Sequence, residues 1–217
     1  MRNKTAIVTG SSQGIGRAIA AALLERGINV VLCGPSLASC RAAARDMPPG
    51  ADGARVLATA CDVRSRRSLA RLRTTATAAF GRIDLWVNNA GIALLGNDLA
   101  SLPERDWRTM VDVNLTGTLL ASQVAVEALT EHGGAIYNVL GAGDDGEPVP
   151  GMGGYATTKA GLIFLTRSMA EELAGTNIIV AGLSPGLSFN QGYLRDHAYI
   201  PEARRPEREK FLHLIAY

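Results

Sequence analysis

Cysteine is scarce in this 217-residue chain: Cys33, Cys40 and Cys61 are the full set. The number is odd and no Cys-x-x-Cys pair occurs, so neither a disulfide framework nor a zinc site is indicated. Buried free thiols in a reducing cytoplasm are the reading that remains. Histidine is equally sparse, and His132, His197 and His213 lie far apart, so no metal site is expected. No apolar run approaches the length of a membrane span. The stretch Ile19 to Leu32 is broken by Glu25-Arg26-Gly27. Strand-like sequence begins almost at residue 1, leaving no room for a secretory signal. Nor is there an excess of one charge: 22 Lys and Arg stand against 20 Asp and Glu. That argues against the clustered basic footprint of a nucleic-acid binder. The arginines from Arg64 to Arg73 and the alternating charges from Glu202 to Lys210 read as solvated helix faces. A soluble, cytoplasmic protein is expected, with no membrane or nucleic-acid partner.

What is present is alternation. Short apolar runs at Ala6–Val8, Val30–Cys33, Val56–Thr59, Leu85–Val87, Ala135–Val139 and Ile178–Val180 have the look of buried parallel strands. Helical patterns lie between them. Arg17 to Arg26 is rich in Ala and Leu and stops at Gly27. Leu69, Leu72, Ala76 and Phe80 mark one face of a helix closed by Gly81. Pro103 opens a long helix as a first-turn proline, and Gly154 to Ala174 forms another, closed by Gly175. Such β-α-β-α order predicts an α/β fold: a Rossmann-like, doubly wound parallel sheet in three α/β/α layers, with the ligand crevice beyond the carboxyl ends of the strands. No repeat or linker interrupts it. Residues 1–190 read as one dinucleotide-binding and catalytic domain, and 191–217 as a short C-terminal segment of that domain.

The motifs fall at those carboxyl ends. Thr9-Gly-Ser-Ser-Gln-Gly-Ile-Gly16 leads from a strand into a helix and has the form of a pyrophosphate cradle. Gly10 allows the tight turn, Gly14 the approach of backbone to phosphate, and Gly16 close packing of helix on strand. Asp62 ends the third strand, placed either to accept from an adenine amino group or to cap the helix near Ser65. Asn88-Asn89-Ala90-Gly91 follows the fourth strand, where asparagines also serve to satisfy turn backbone. Asn114 sits inside an apolar helix, either as a satisfied core amide or as a residue that bends the helix and holds a water. Tyr155 and Lys159 are four apart, hence neighbours on one helix face. A phenol with a pKa near 10 titrates lower beside an ammonium, so Tyr155 is a candidate proton donor and acceptor. The bland readings are a solvated tyrosine and a snorkelling surface lysine.

Taken together, these residues resemble the short-chain dehydrogenase/reductase family. The pattern is matched by Thr9-Gly10-x-x-x-Gly14-Ile15-Gly16, Asp62, Asn88 to Gly91, Asn114, Tyr155-x-x-x-Lys159 and Pro185-Gly186, in the family's order, from residue 4 to about 190. The resemblance implies a carbonyl–alcohol oxidoreductase using NAD(P)(H). It makes Tyr155 the acid/base, has Lys159 lower its pKa and hold the nicotinamide ribose, and has Asn114 hold a water of the proton relay. It places Ser12, Gln13, Gly14, Ile15, Val63, Asn89, Ala90, Pro185, Gly186, Ser188 and Asn190 along the cofactor, Asn190 where threonine is usual.

Three departures follow. The family's catalytic serine has no counterpart: Gly141 and Ala142 stand in its place, and no Ser or Thr lies between Asn138 and Gly154. The loop Gly141 to Pro150 is similar to that of chlorophyll b reductases. After the second strand, Cys33-Gly-Pro-Ser36 offers no carboxylate for a ribose hydroxyl, which favours NADP(H) over NAD(H), with Ser36, Arg17 or Arg41 as donors. Finally, the segment after Gly186 is short, so the last strand of the family is expected to be missing, by truncation or because the sheet stops early. The alternative to an enzyme is a nucleotide-binding pseudoenzyme or inactive subunit. A homodimer is expected, packed through Pro103 to about Glu131 and Gly154 to Ala174, with Ala160, Phe164, Ser168 and Glu171 outward.

Overall fold

The second strand pairs in register with the first along its length, from Thr5 beside Asn29 to Thr9 beside Cys33. That pairing begins a computed structural model that describes residues 4–94, 99–141 and 151–185. Six strands form one parallel sheet: β1 (Thr5–Thr9), β2 (Asn29–Gly34), β3 (Val56–Ala60), β4 (Leu85–Asn88), β5 (Gly134–Val139) and β6 (Ile178–Leu183). Their order is β3-β2-β1-β4-β5-β6, which reverses direction between β1 and β4. A reversal of this kind opens a crevice at the strands' carboxyl ends.

Residues alternate across the sheet as the pleat requires. Ile7, Val31, Trp86 and Ile136 face one core, which is closed by Leu69 and Leu72 of α3 (Arg66–Phe80), Val124 and Leu129 of α5 (Gly117–Leu129) and Met169 of α6 (Gly153–Glu172). Val8, Val30, Leu32 and Val87 face the other, closed by Ala20 and Leu24 of α1 (Gly14–Leu24) and Ala43 of α2 (Leu37–Arg45). Among the described residues β6 is an edge strand. Its Ile179, 64% exposed, points away from the first core. Residues 186–217, on which the expected loss of a final strand bears, lie outside the described residues.

Several element ends differ from the sequence expectation. Helix α1 stops at Leu24, before Gly27. Pro103 is the residue before helix α4 (Glu104–Met110) and not within its first turn. The long helix it opens is interrupted: a π turn, Val111–Thr116, joins α4 to α5. Helix α2 was not foreseen. Its short Ala-rich pattern is started by Ser36, whose hydroxyl accepts from the Ser39 N–H.

Candidate active site

The glycine turn leaves β1 through Gly10 at φ +63° and enters α1 through Gly14 at φ +57°, conformations that glycine adopts without strain. Gln13 precedes α1 without a side-chain cap, and no acidic residue occupies the first turn. The leading N–H groups of α1 are therefore left for an anion. A β-carbon at Gly16 would run into the Asn89 side chain and the Gly10 carbonyl. Ser11 is buried: its hydroxyl donates to the Val8 carbonyl and accepts from the Cys33 N–H. Ser12 and Gln13 lie at the open part of the turn, with Ile15 in the first turn of α1.

The loop after β4 is tied to that turn. The Thr9 hydroxyl accepts from the N–H groups of Asn89 and Ala90, each at 3.0 Å. The Asn89 amide donates to the carbonyls of Thr9 and Gly10. Its side chain thus braces backbone, as asparagine in a turn commonly does.

On the far side, Asp62 does not cap α3. Ser65 does so, accepting from the Ser68 N–H. Asp62 instead grips Arg64, at 2.8 Å from its guanidinium, and accepts from the Arg64 N–H. The guanidinium holds the Asp62 carboxyl below its ordinary range. Val63 packs on Gly117 of α5. Ser36 is exposed at the end of the β2–α2 turn, and Arg17 pairs with Asp46 at 3.4 Å. Arg41 is exposed on α2.

Sequence-distant side chains converge beside Gly91. The Lys159 Nζ donates to the Val139 carbonyl at 2.8 Å and stands 5.6 Å from the centre of the Tyr155 ring. Lys159 is 4% exposed, and burial pushes its pKa down to about 8. It is not the snorkelling surface lysine of the bland reading. Asn114 is in the π turn with its amide fully used. It donates to the Ile92 carbonyl and the Thr158 hydroxyl, and its Oδ1 accepts from the Ile92 N–H. Such π turns recur at functional sites; here the turn aims Asn114 at the loop that carries Gly91. A β-carbon at Gly91 would lie 3.4 Å from Asn114 Oδ1 and 3.8 Å from Lys159 Nζ. One at Gly141 would lie 2.7 Å from the Tyr155 hydroxyl. Phenol, ammonium and amide are thus collected on one patch at the carboxyl edge of β4 and β5.

Pro185 is the last described residue. Gly186, Ser188 and Asn190, with the loop from Ala142 to Pro150, lie outside the described residues. Sequence reasoning missed Asn138, Thr158 and Thr166, whose hydrogen bonds tie α6 to β5 and to Asn114. An asparagine inside the apolar strand Gly134–Val139 was the available signal, since a buried amide requires partners.

The model of the short chain dehydrogenase family matches residues 4–189. Chlorophyll(ide) b reductase NOL of Arabidopsis thaliana, a chloroplastic protein, is 34% identical over 187 residues, covering 83% of this chain and 53% of that protein. The chain therefore spans about half the length of that relative. An actinorhodin polyketide ketoreductase variant solved with NADPH superposes with a TM-score of 0.83 at 29% identity, over 92% of this chain and 77% of that one. A 3-ketoacyl-(acyl-carrier-protein) reductase of Brucella melitensis, solved with NADH, gives 0.82 at 26% identity, over 89% and 79%.

Proposed function

The chain belongs to the short-chain dehydrogenase/reductase family, and from that premise we propose that it interconverts a carbonyl and an alcohol, with NADP(H) preferred over NAD(H). The observation that carries the reading is the buried Lys159, held by the Val139 carbonyl beneath the Tyr155 ring. A desolvated ammonium costs stability, and its service to a neighbouring phenol accounts for it.

The residues present fit a dinucleotide, because the uncapped start of α1 offers N–H groups to a pyrophosphate. Gly10 and Gly14 to Gly16 would hold that pyrophosphate, Ser36 the adenosine ribose, and Asp62 and Val63 the adenine. Asn89 to Gly91 and Lys159 would hold the nicotinamide end. When bound, the cofactor supplies or accepts the hydride. Tyr155 gives its proton to the carbonyl oxygen in reduction and takes it back in oxidation. Lys159 stabilises the phenolate left behind, and Asn114 fixes the Gly91 loop opposite. No side chain at Gly141 supplies a second donor to the substrate oxygen, a loss worth roughly 10²–10³ in rate.

NADP(H) is favoured because Gly34-Pro35-Ser36 carries no carboxylate to repel a 2′-phosphate. Solved relatives hold either nucleotide. Among the described residues no helix is long and apolar enough to cross a membrane. Three buried free thiols support a cytoplasmic setting. We also propose a twofold dimer through α5 and α6, supported by Phe164 at 75% exposure and Leu119 at 43%. Nucleotide titration beside a turnover assay on a panel of carbonyls tests the whole. Binding with turnover supports the enzyme, whereas binding without it makes the chain the pseudoenzyme.

A further inference from the structure

A chain of buried polar side chains crosses the sheet on the face of α5 and α6, away from the reacting groups. The Trp86 Nε1 donates to Asn88 Oδ1 at 2.9 Å. Asn88 Nδ2 donates to the Ser122 hydroxyl at 3.0 Å and to Asn138 Oδ1 at 2.9 Å. Asn138 Nδ2 donates to the Thr166 hydroxyl at 2.9 Å, which in turn donates to the Leu162 carbonyl at 2.6 Å. All five side chains are buried, Trp86 and Asn138 completely.

Five polar groups in an apolar core are costly unless each is satisfied, and their selective value lies in fixing one arrangement. The arrangement fixed here is the seat of α6 on β5. Lys159 and Thr166 are seven residues apart, two helical turns on one face. Each reaches β5 at adjacent positions, Lys159 at the Val139 carbonyl and Thr166 at the Asn138 amide. Asn88 continues the chain to the last residue of β4, next to Asn89-Ala90-Gly91. We propose that Asn138 and Thr166 are positioning residues, which set α6 against β5 so that Tyr155 and Lys159 meet the Gly91 loop at the working distance. The proposal rests on the oxidoreductase reading above.

Two variants test it, Thr166→Val, which keeps the shape and removes the hydroxyl, and Thr166→Ser, which keeps the hydroxyl. NADPH affinity and melting temperature are measured with kcat and KM for the carbonyl. Thr166→Val is expected to lower kcat by about 10- to 100-fold with KM and nucleotide affinity near the original, and Thr166→Ser to restore kcat. A second readout needs no turnover: lysine side-chain NMR of the free protein, with the Lys159 signal identified by its loss in Lys159→Met. Among the described residues, Tyr155 of α6 is the titratable group facing Lys159, while Val139 presents a carbonyl, Gly91 backbone and Asn114 a neutral amide. The midpoint near 8 is expected to rise toward the ordinary lysine value in Thr166→Val and to stay in Thr166→Ser. An unchanged kcat and midpoint in Thr166→Val, or equal damage from both variants, overturns the proposal. Absence of turnover in the unaltered protein defeats the oxidoreductase reading instead, and the NMR midpoints then decide the positioning role by themselves.

Discussion

The Tyr155 hydroxyl oxygen lies 2.7 Å from the point that a β-carbon on Gly141 would occupy, so the phenol and any side chain at that position compete for one space. The family's serine would stand at this part of the loop. Placing it at Gly141 is therefore not a repair. Gly141→Ser is expected to displace the Tyr155 hydroxyl and lower turnover, with NADPH affinity unchanged. A gain in kcat on the same carbonyls would show that the phenol moves aside freely.

Tyr155→Phe removes the proton donor and leaves the ring over Lys159. Turnover should vanish, and nucleotide affinity, read by cofactor fluorescence, should stay close to that of the original. Retained turnover would place the acid/base elsewhere, with Asp144 and Asp145 of the serine-less loop as the candidates.

Lys159 makes stability depend on pH with a definite sign. Its folded pKa, about 8, lies below the ordinary lysine value of 10.5. The fold favours the neutral amine, so this contribution is full above 10.5 and is lost as pH falls through 8. The free protein should gain stability between those two values, by about 3 kcal/mol from this group. Lys159→Met should remove the slope and be the more stable protein at pH 7. Denaturant melts at pH 7 and pH 10 measure it, and parallel curves for the two proteins would refute the burial argument.

Cofactor choice turns on the end of β2. NADPH should bind more tightly than NADH, and Ser36→Asp should reverse the order by placing a carboxylate where a 2′-phosphate would lie. A tenfold preference of the original protein for NADH would end the phosphate reading.

Sedimentation decides the assembly. The original chain should run as a dimer at micromolar concentration, and Phe164→Glu, which charges an exposed large hydrophobic position of α6, should run as a monomer. A clean monomer before substitution would remove the helix interface, and a tight tetramer would contradict the expectation of a dimer.

The sequence by itself determined the strands, because each of the six is a short apolar run with few competing readings. It also determined the place of the glycine turn, the Asn-Asn-Ala-Gly loop and the Tyr155–Lys159 pair, because local spacing and helical period act over a few residues. The tertiary structure alone decided which partners those groups take. Asp62 reads as either an adenine acceptor or a helix cap until Arg64 is seen to hold it and Ser65 to cap α3. Lys159 reads as either the partner of Tyr155 or a surface lysine until α6 is laid on β5 and the Val139 carbonyl receives it. Asn114 becomes a clamp on Ile92 only because a π turn, invisible in an apolar helical pattern, rotates it inward. Asn138 and Thr166, 28 residues apart, carry no mutual signal in the chain. Burial and hydrogen-bond pairing between distant segments are properties of the packed molecule, and they fix the chemistry of groups whose identity and order the sequence already supplied.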